Sequence, residues 1–203
     1  MDPTPHHLTA DYWSDRYTTD DFPWDLGAPS QPLIHFCSRL AEKNSKDCRI
    51  LIPGGGRGHD VHWLWQNGFT NVVQADYSKA AHRQVLEQYP ELPKSRLITE
   101  DFFNLQGPFD LILEQTFLHA LLPRQRPDYA RQMANLLAPG GLLAGVLFNF
   151  PLSEKGPPFG GEPEDYRALF AEQFDILKLE PCYNSMPGRE GKELFFICRP
   201  KDS

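Results

Sequence analysis

The chain has 203 residues, 40% of them hydrophobic and 12% aromatic, enough apolar material for the core of one globular domain over residues 1–203. Lysine and arginine number 20 against 27 acids, a net charge of −7, and no basic cluster stands out, which argues against nucleic acid as a partner. No apolar stretch reaches membrane-spanning length and Met1–Asp20 is polar and acidic, so no membrane partner is expected and the expected location is cytoplasmic.

Residues 1–29 form an aromatic, acidic, proline-punctuated arm containing Tyr12-Trp13, Tyr17 and Phe22-Pro23-Trp24-Asp25. Ser30–Lys43 carries Leu33, Ile34, Phe36, Cys37 and Leu40 at helical spacing. Arg49–Pro53 is a short apolar strand that runs directly into a glycine turn. A helix follows over Asp60–Asn67, with Gly68 as its left-handed cap. Val72–Ala75 is the second strand, and Ser78 caps a helix reaching Tyr89. Ser95–Thr99 and Phe109–Leu113 are the third and fourth strands. Arg126–Leu137 is a helix closed by Pro139-Gly140-Gly141, and Leu142–Phe148 is a buried strand. Glu162–Ala171 is helical, and Phe174–Leu179 and Glu193–Arg199 are the last strands.

Strands separated by helices predict a doubly wound, Rossmann-like α/β fold with a seven-stranded, mainly parallel sheet. Only the short segment Glu180–Lys192 joins the last two strands, so they pair antiparallel as a hairpin at the sheet edge. Residues 149–161 are long for an idle connection and are the candidate lid or substrate loop. Cys37, Cys48, Cys182 and Cys198 show neither paired nor metal-ligand spacing; they are expected to be reduced structural thiols, and no metal is expected.

The turn Gly54-Gly55-Gly56-Arg57-Gly58 is the most informative segment. Glycines at alternate positions allow backbone to approach a ligand where a side chain would collide. Asp76 closes the second strand about twenty residues on, where a ribose-binding carboxylate belongs, with Tyr77 beside it; capping the next helix is the plainer role for Asp76. A dinucleotide fingerprint is missing, because its third glycine falls on His59 or Val61, and no Gly-Lys-Ser/Thr follows as in a P-loop. G-x-G-x-G with an acid after the second strand is instead similar to class I S-adenosylmethionine methyltransferases.

Further candidates follow along the same sheet edge. Asp101 is placed to accept the exocyclic amine of adenine with Phe102 stacked beside the ring; the alternative is a turn aspartate followed by core phenylalanine. Glu114, at the mouth of the fourth strand, suits a sulfonium and an α-ammonium group, or is an exposed strand-end acid. Trp13, Tyr17 and Trp24 offer aromatic faces to the sulfonium or simply pin the arm. His119 is the candidate catalytic base for a thiol or selenol acceptor, against the commoner role of a satisfied structural histidine.

Taken together these segments resemble the thiopurine S-methyltransferase family, and within it the thiol/halide methyltransferase branch, from Tyr12 to Arg199. The resemblance rests on Tyr12-Trp13 and Tyr17, Pro23-Trp24-Asp25-Leu26-Gly27, Ile52-Pro53-Gly54-Gly55-Gly56-Arg57-Gly58-His59-Asp60-Val61, Asp101-Phe102-Phe103, Phe109–Glu114, Gly156-Pro157-Pro158-Phe159 and Gly188-Arg189-Glu190. Cysteine is usual at Gly55, aspartate frequent at Glu114, tryptophan at Tyr17, tyrosine in place of Phe159, and a small residue or cysteine at His119. The resemblance implies S-adenosylmethionine as cofactor, S-adenosylhomocysteine as product, and methyl transfer to a small soft nucleophile. A thiol or thiopurine sulfur is the expected acceptor, with halide or thiocyanate as the alternative. Gly54, Gly56, Asp76, Tyr77, Asp101, Phe102, Glu114 and the arm aromatics would hold the cofactor. Pro158, Phe159 and Arg189 would face the acceptor, and the protein would act as a monomer or weak homodimer. Two other classes compete: a nicotinamide- or flavin-dependent oxidoreductase on the same sheet, and a cofactor-binding protein without turnover.

Overall fold

The computed structural model describes residues 8–41 and 46–201. The first seven residues of the arm, and Glu42 and Lys43 of the segment after it, lie outside the described residues. Seven strands form one sheet: β1 (Ile50–Pro53), β2 (Val72–Asp76), β3 (Leu97–Thr99), β4 (Phe109–Gln115), β5 (Leu137–Phe148), β6 (Phe174–Pro181) and β7 (Glu193–Pro200). Their order is β3-β2-β1-β4-β5-β7-β6. All neighbouring pairs are parallel except β7, which is antiparallel to both β5 and β6. The expected hairpin is therefore present, with β6 outermost.

Among the described residues six α-helices surround the sheet: α1 (Ala10–Thr18), α2 (Gln31–Ala41), α3 (His59–Gln66), α4 (Lys79–Gln88), α5 (Arg126–Leu136) and α6 (Pro163–Phe170). Strand parity assigns each face. Ile50 and Ile52 of β1, Val72 of β2 and Leu111 and Leu113 of β4 pack with Leu33, Cys37, Val61, Leu64 and Val85 from α2, α3 and α4. Leu51, Ala75, Ile112 and Leu143 face the other way, onto Tyr129, Ala130 and Met133 of α5 and Tyr166 and Phe170 of α6. Chain order reverses between β1 and β4, and the carboxyl ends of the strands on either side of that switch point open the crevice where such sheets bind ligands.

Several boundaries differ from the sequence expectation, and β5 differs most: it begins at Leu137 instead of Leu142, so Pro139-Gly140-Gly141 lies inside the strand. The arm contains helix α1, begun by Thr9, whose hydroxyl accepts from the Tyr12 amide. Strand β4 runs on through Glu114 to Gln115. That extension decides where Glu114 points.

Candidate active site

The glycine turn leaves β1 with Gly54 at φ 60° and Gly56 at φ 54°, a backbone conformation that a Cβ disfavours. A Cβ on Gly54 would collide with the Phe117 ring, and one on Gly56 would stand 2.8 Å from the Tyr17 hydroxyl. The Gly54 amide donates to Ala75 (2.7 Å) and the Gly56 amide to Asp76 Oδ2 (3.2 Å), while Ser78 N–H donates to Asp76 Oδ1 (2.9 Å). Burial pushes the Asp76 carboxyl up to about 6, against those two amide bonds. Ser78 also caps α4, accepting from Ala81, so Asp76 and Ser78 share the cap. Tyr77 donates to the Leu8 carbonyl (2.7 Å), and burial, then the charges of Asp76 and Asp101, keep its phenol neutral. Asp101 is near enough for its charge to act on Tyr77, while its own carboxylate accepts from the Phe103 amide (3.0 Å), the turn-aspartate alternative.

Helix α1 lies across that edge. The Tyr17 carbonyl accepts from Gln84 of α4 (2.6 Å), and Ser14 reaches Ser78 (3.1 Å). Trp24 meets Trp13 edge-on at 5.3 Å and Tyr17 at 6.0 Å. Its ring already carries a cation, the Arg16 guanidinium at 4.9 Å, so part of the aromatic cage stabilises the arm itself. Asp25 then latches the arm to the body. It accepts from His59 Nε2 (2.9 Å) and Arg57 Nη1 (3.0 Å), and despite burial these partners hold its carboxyl below the usual range.

Four expectations are corrected by these placements. Phe102 is 7% exposed and packs against Phe103, Phe117 and Tyr129 in the core, leaving Phe103 as the half-exposed ring of the pair. Glu114 is fully buried. It has the parity of Ile112, so its carboxylate turns towards α5, accepting from Tyr129 (2.5 Å) and the Leu118 amide (3.3 Å) instead of facing the crevice. There it braces a turn in which Thr116 takes φ 58°, the turn that seats Phe117 against Gly54. Pro158 is exposed, outside any acceptor wall.

His119 is the fourth. It is 1% exposed, with both ring nitrogens engaged: Nδ1–H donates to the Gly160 carbonyl (3.1 Å) and Nε2 accepts from the Phe148 amide (3.0 Å). Burial, then the charge of Arg126, lowers its pKa to about 3. A ring neutral at working pH whose basic nitrogen holds a backbone amide does not take a proton from an acceptor. Its role is to fasten the 149–161 loop to the end of β5; it grips the loop a second time through its own carbonyl, 3.2 Å from Phe159 N.

The loop itself meets the arm. Phe159, 1% exposed, packs with Leu8, Leu122, Tyr12 and Trp13. Arg126 of α5, absent from the sequence expectations, donates Nη2 to the same Gly160 carbonyl (2.8 Å). Arg189 stacks over Phe148 at 5.1 Å, donating to Glu193 (3.2 Å) and to the Trp24 carbonyl (2.8 Å). Phe117, Arg126 and Phe148 carried no sequence signal because their partners lie far along the chain. This constellation fits an adenosyl sulfonium cofactor: a carboxylate flanked by a close-approach glycine turn, and at the end of β4 a buried Gln115 Oε1 with no partner among the described residues.

The comparisons agree with that fit. A family model described as thiopurine S-methyltransferase (TPMT) matches residues 8–193. A probable thiol methyltransferase 2 from Arabidopsis thaliana is 30% identical over 89% of this chain and 81% of its own length. A thiocyanate methyltransferase 1 from Brassica oleracea is 32% identical over 89% of this chain and 79% of its own. Among solved structures, Burkholderia thailandensis 1,6-didemethyltoxoflavin-N1-methyltransferase superposes with a TM-score of 0.77 over 98% of this chain and 92% of its own, at 17% identity, which speaks to the fold alone.

Proposed function

Because the chain belongs to the thiopurine S-methyltransferase family, we propose that it methylates a small, soft sulfur nucleophile that reaches the site as an anion. The protein is an S-adenosylmethionine-dependent methyltransferase of the doubly wound class, and S-adenosylhomocysteine is its product. Bound, the cofactor supplies an electrophilic methyl group on a sulfonium. Asp76 would accept from the ribose hydroxyls and Asp101 from the adenine amine. Tyr77 and the open backbone at Gly54 and Gly56 would lie along the cofactor, with Trp13, Tyr17 and Trp24 closing over it.

In-line displacement asks the protein mainly for alignment and exclusion of water. The arm and the 149–161 loop supply both, since Phe159 is buried against Trp13 and Leu8. His119, with both ring nitrogens engaged, does not serve as a base. The observation that carries the anionic acceptor is the pair of guanidiniums at the 149–161 loop: Arg126, whose Nη2 donates to the Gly160 carbonyl, and Arg189, stacked over Phe148. The same two guanidiniums favour a thiolate over a thiol, and a thiolate is a minor species at neutral pH without such help. Thiocyanate arrives already charged. A halide fits the same field and is the second reading. The acceptor is a small molecule; action as a cytoplasmic monomer or weak homodimer is part of the proposal.

An acceptor panel at fixed cofactor tests this. Aromatic and alkyl thiols, thiocyanate and iodide should each release S-adenosylhomocysteine, while amines and alcohols of matching shape should not. Preference for a neutral amine or alcohol would overturn the sulfur assignment.

A further inference from the structure

We propose that Gln74 is a positioning residue for the cofactor, setting the peptide plane of Gly56 from the strand behind it; the inference rests on the cofactor site assigned above. Gln74 is fully buried in β2, two residues before Asp76, so both side chains leave the same face of the strand. Its Nε2 donates to the Gly56 carbonyl (2.9 Å), while Asp76 Oδ2 accepts from the Gly56 amide (3.2 Å). One glycine at positive φ is therefore held by its carbonyl and by its amide, from two consecutive same-face positions of one strand.

Two further observations argue that this amide is more than filling. Its Oε1 is buried without a partner, a cost that a purely apolar side chain of similar size in this strand avoids. The neighbouring glycine makes room for it: a Cβ on Gly55 would collide with the Gln74 side-chain amide. Gly55 has no left-handed φ to explain the missing side chain, so space for Gln74 is the reason the structure offers. The arm completes the arrangement, since the Tyr17 hydroxyl stands over Gly56. Gln74 thereby fixes a backbone segment that touches both the ribose carboxylate and the closing arm.

The test is calorimetric titration with S-adenosylhomocysteine of the wild type, Gln74→Met, Gly55→Ala and the Gly55→Ala/Gln74→Ala double variant, with thermal midpoints measured without ligand. Gln74→Met loses one hydrogen bond and one unpaired oxygen, so its midpoint should stay near wild type while affinity falls about tenfold. The acceptor's KM at saturating cofactor should stay within about twofold, separating cofactor placement from acceptor binding. Gly55→Ala should lower the midpoint by collision, and the double variant should regain the midpoint without regaining affinity. Wild-type affinity in Gln74→Met, or a loss that merely follows a lowered midpoint, would overturn the proposal. If the wild type binds no S-adenosylhomocysteine, the cofactor site itself is misassigned and this inference falls with it.

Discussion

The Nδ1 of His119 and the carbonyl oxygen of Gly160, 41 residues apart in sequence, are joined across 3.1 Å in the buried interior. Gly160 accepts a second hydrogen bond, 2.8 Å, from Arg126. One carbonyl thus gathers the turn after β4, helix α5 and the 149–161 loop. The loop has a defined shape because two buried donors specify it.

His119→Ala is expected to destabilise the protein by about 1–3 kcal/mol, since the Phe148 amide loses its buried acceptor. The acceptor's KM should rise several-fold while the dissociation constant for S-adenosylmethionine changes little. The pH effect has a definite sign. His119 titrates at about 3 when folded and near 6.5 when unfolded, so the unfolded chain binds protons first as pH falls. The stability of wild type relative to His119→Ala should therefore shrink between pH 6.5 and 3. Urea midpoints across that range check it; a constant difference contradicts the buried neutral ring.

Asp76→Asn should weaken S-adenosylmethionine binding by about 1–3 kcal/mol, the loss expected for hydrogen bonds to a charged acceptor. In the wild type, affinity should fall as pH drops through about 6, because protonation removes the acceptor that the ribose hydroxyls use. The variant should show no such step. Titration calorimetry at pH 5, 6 and 7.5 would reveal it, and an unchanged affinity in Asp76→Asn would remove the ribose role.

Glu114 titrates at about 7 in the fold, raised by burial from the 4.5 of an open carboxyl. The folded state therefore holds its proton more tightly, and the stability this contributes is present below pH 4.5 and lost as pH rises towards 7. Glu114→Gln, which keeps an acceptor for Tyr129, should gain on the wild type over that window. Paired denaturation curves at pH 4.5 and pH 7.5 measure the difference; a gap that moves the other way would mean the carboxylate is stabilised as an anion.

Asp25→Ala removes the acceptor shared by Arg57 and His59 and should loosen the arm by about 1–3 kcal/mol. Amide exchange in Ala10–Thr18 should accelerate, and saturating S-adenosylmethionine should slow it again. Exchange that is unaffected by the substitution would show that α1 is held by its aromatic packing alone.

Much of the fold was legible because the strand–helix alternation and the glycine turn are local patterns. The antiparallel hairpin followed from loop length, and Asp76 from its spacing to the turn. Glu114 shows where legibility ends: ending β4 at Leu113 instead of Gln115 hides the parity that turns its side chain into the core. Gln74 and Gly55 form a pair only across two strands, and nothing next to either residue announces the other. His119 was a candidate base from its place one turn beyond Glu114, while its partners sit at Phe148 and Gly160, beyond the reach of a local pattern.

The most direct measurement is the pH dependence of kcat/KM for two sulfur acceptors, an alkyl thiol and thiocyanate, in wild type and in His119→Ala. The thiol should gain rate with pH as it ionises, thiocyanate should be nearly flat above pH 6.5, and His119→Ala should lower the thiol rate without changing the shape of either profile. A thiol profile that loses its pH dependence in His119→Ala would make this histidine the base, and no methylation of either sulfur would contradict the account at its centre.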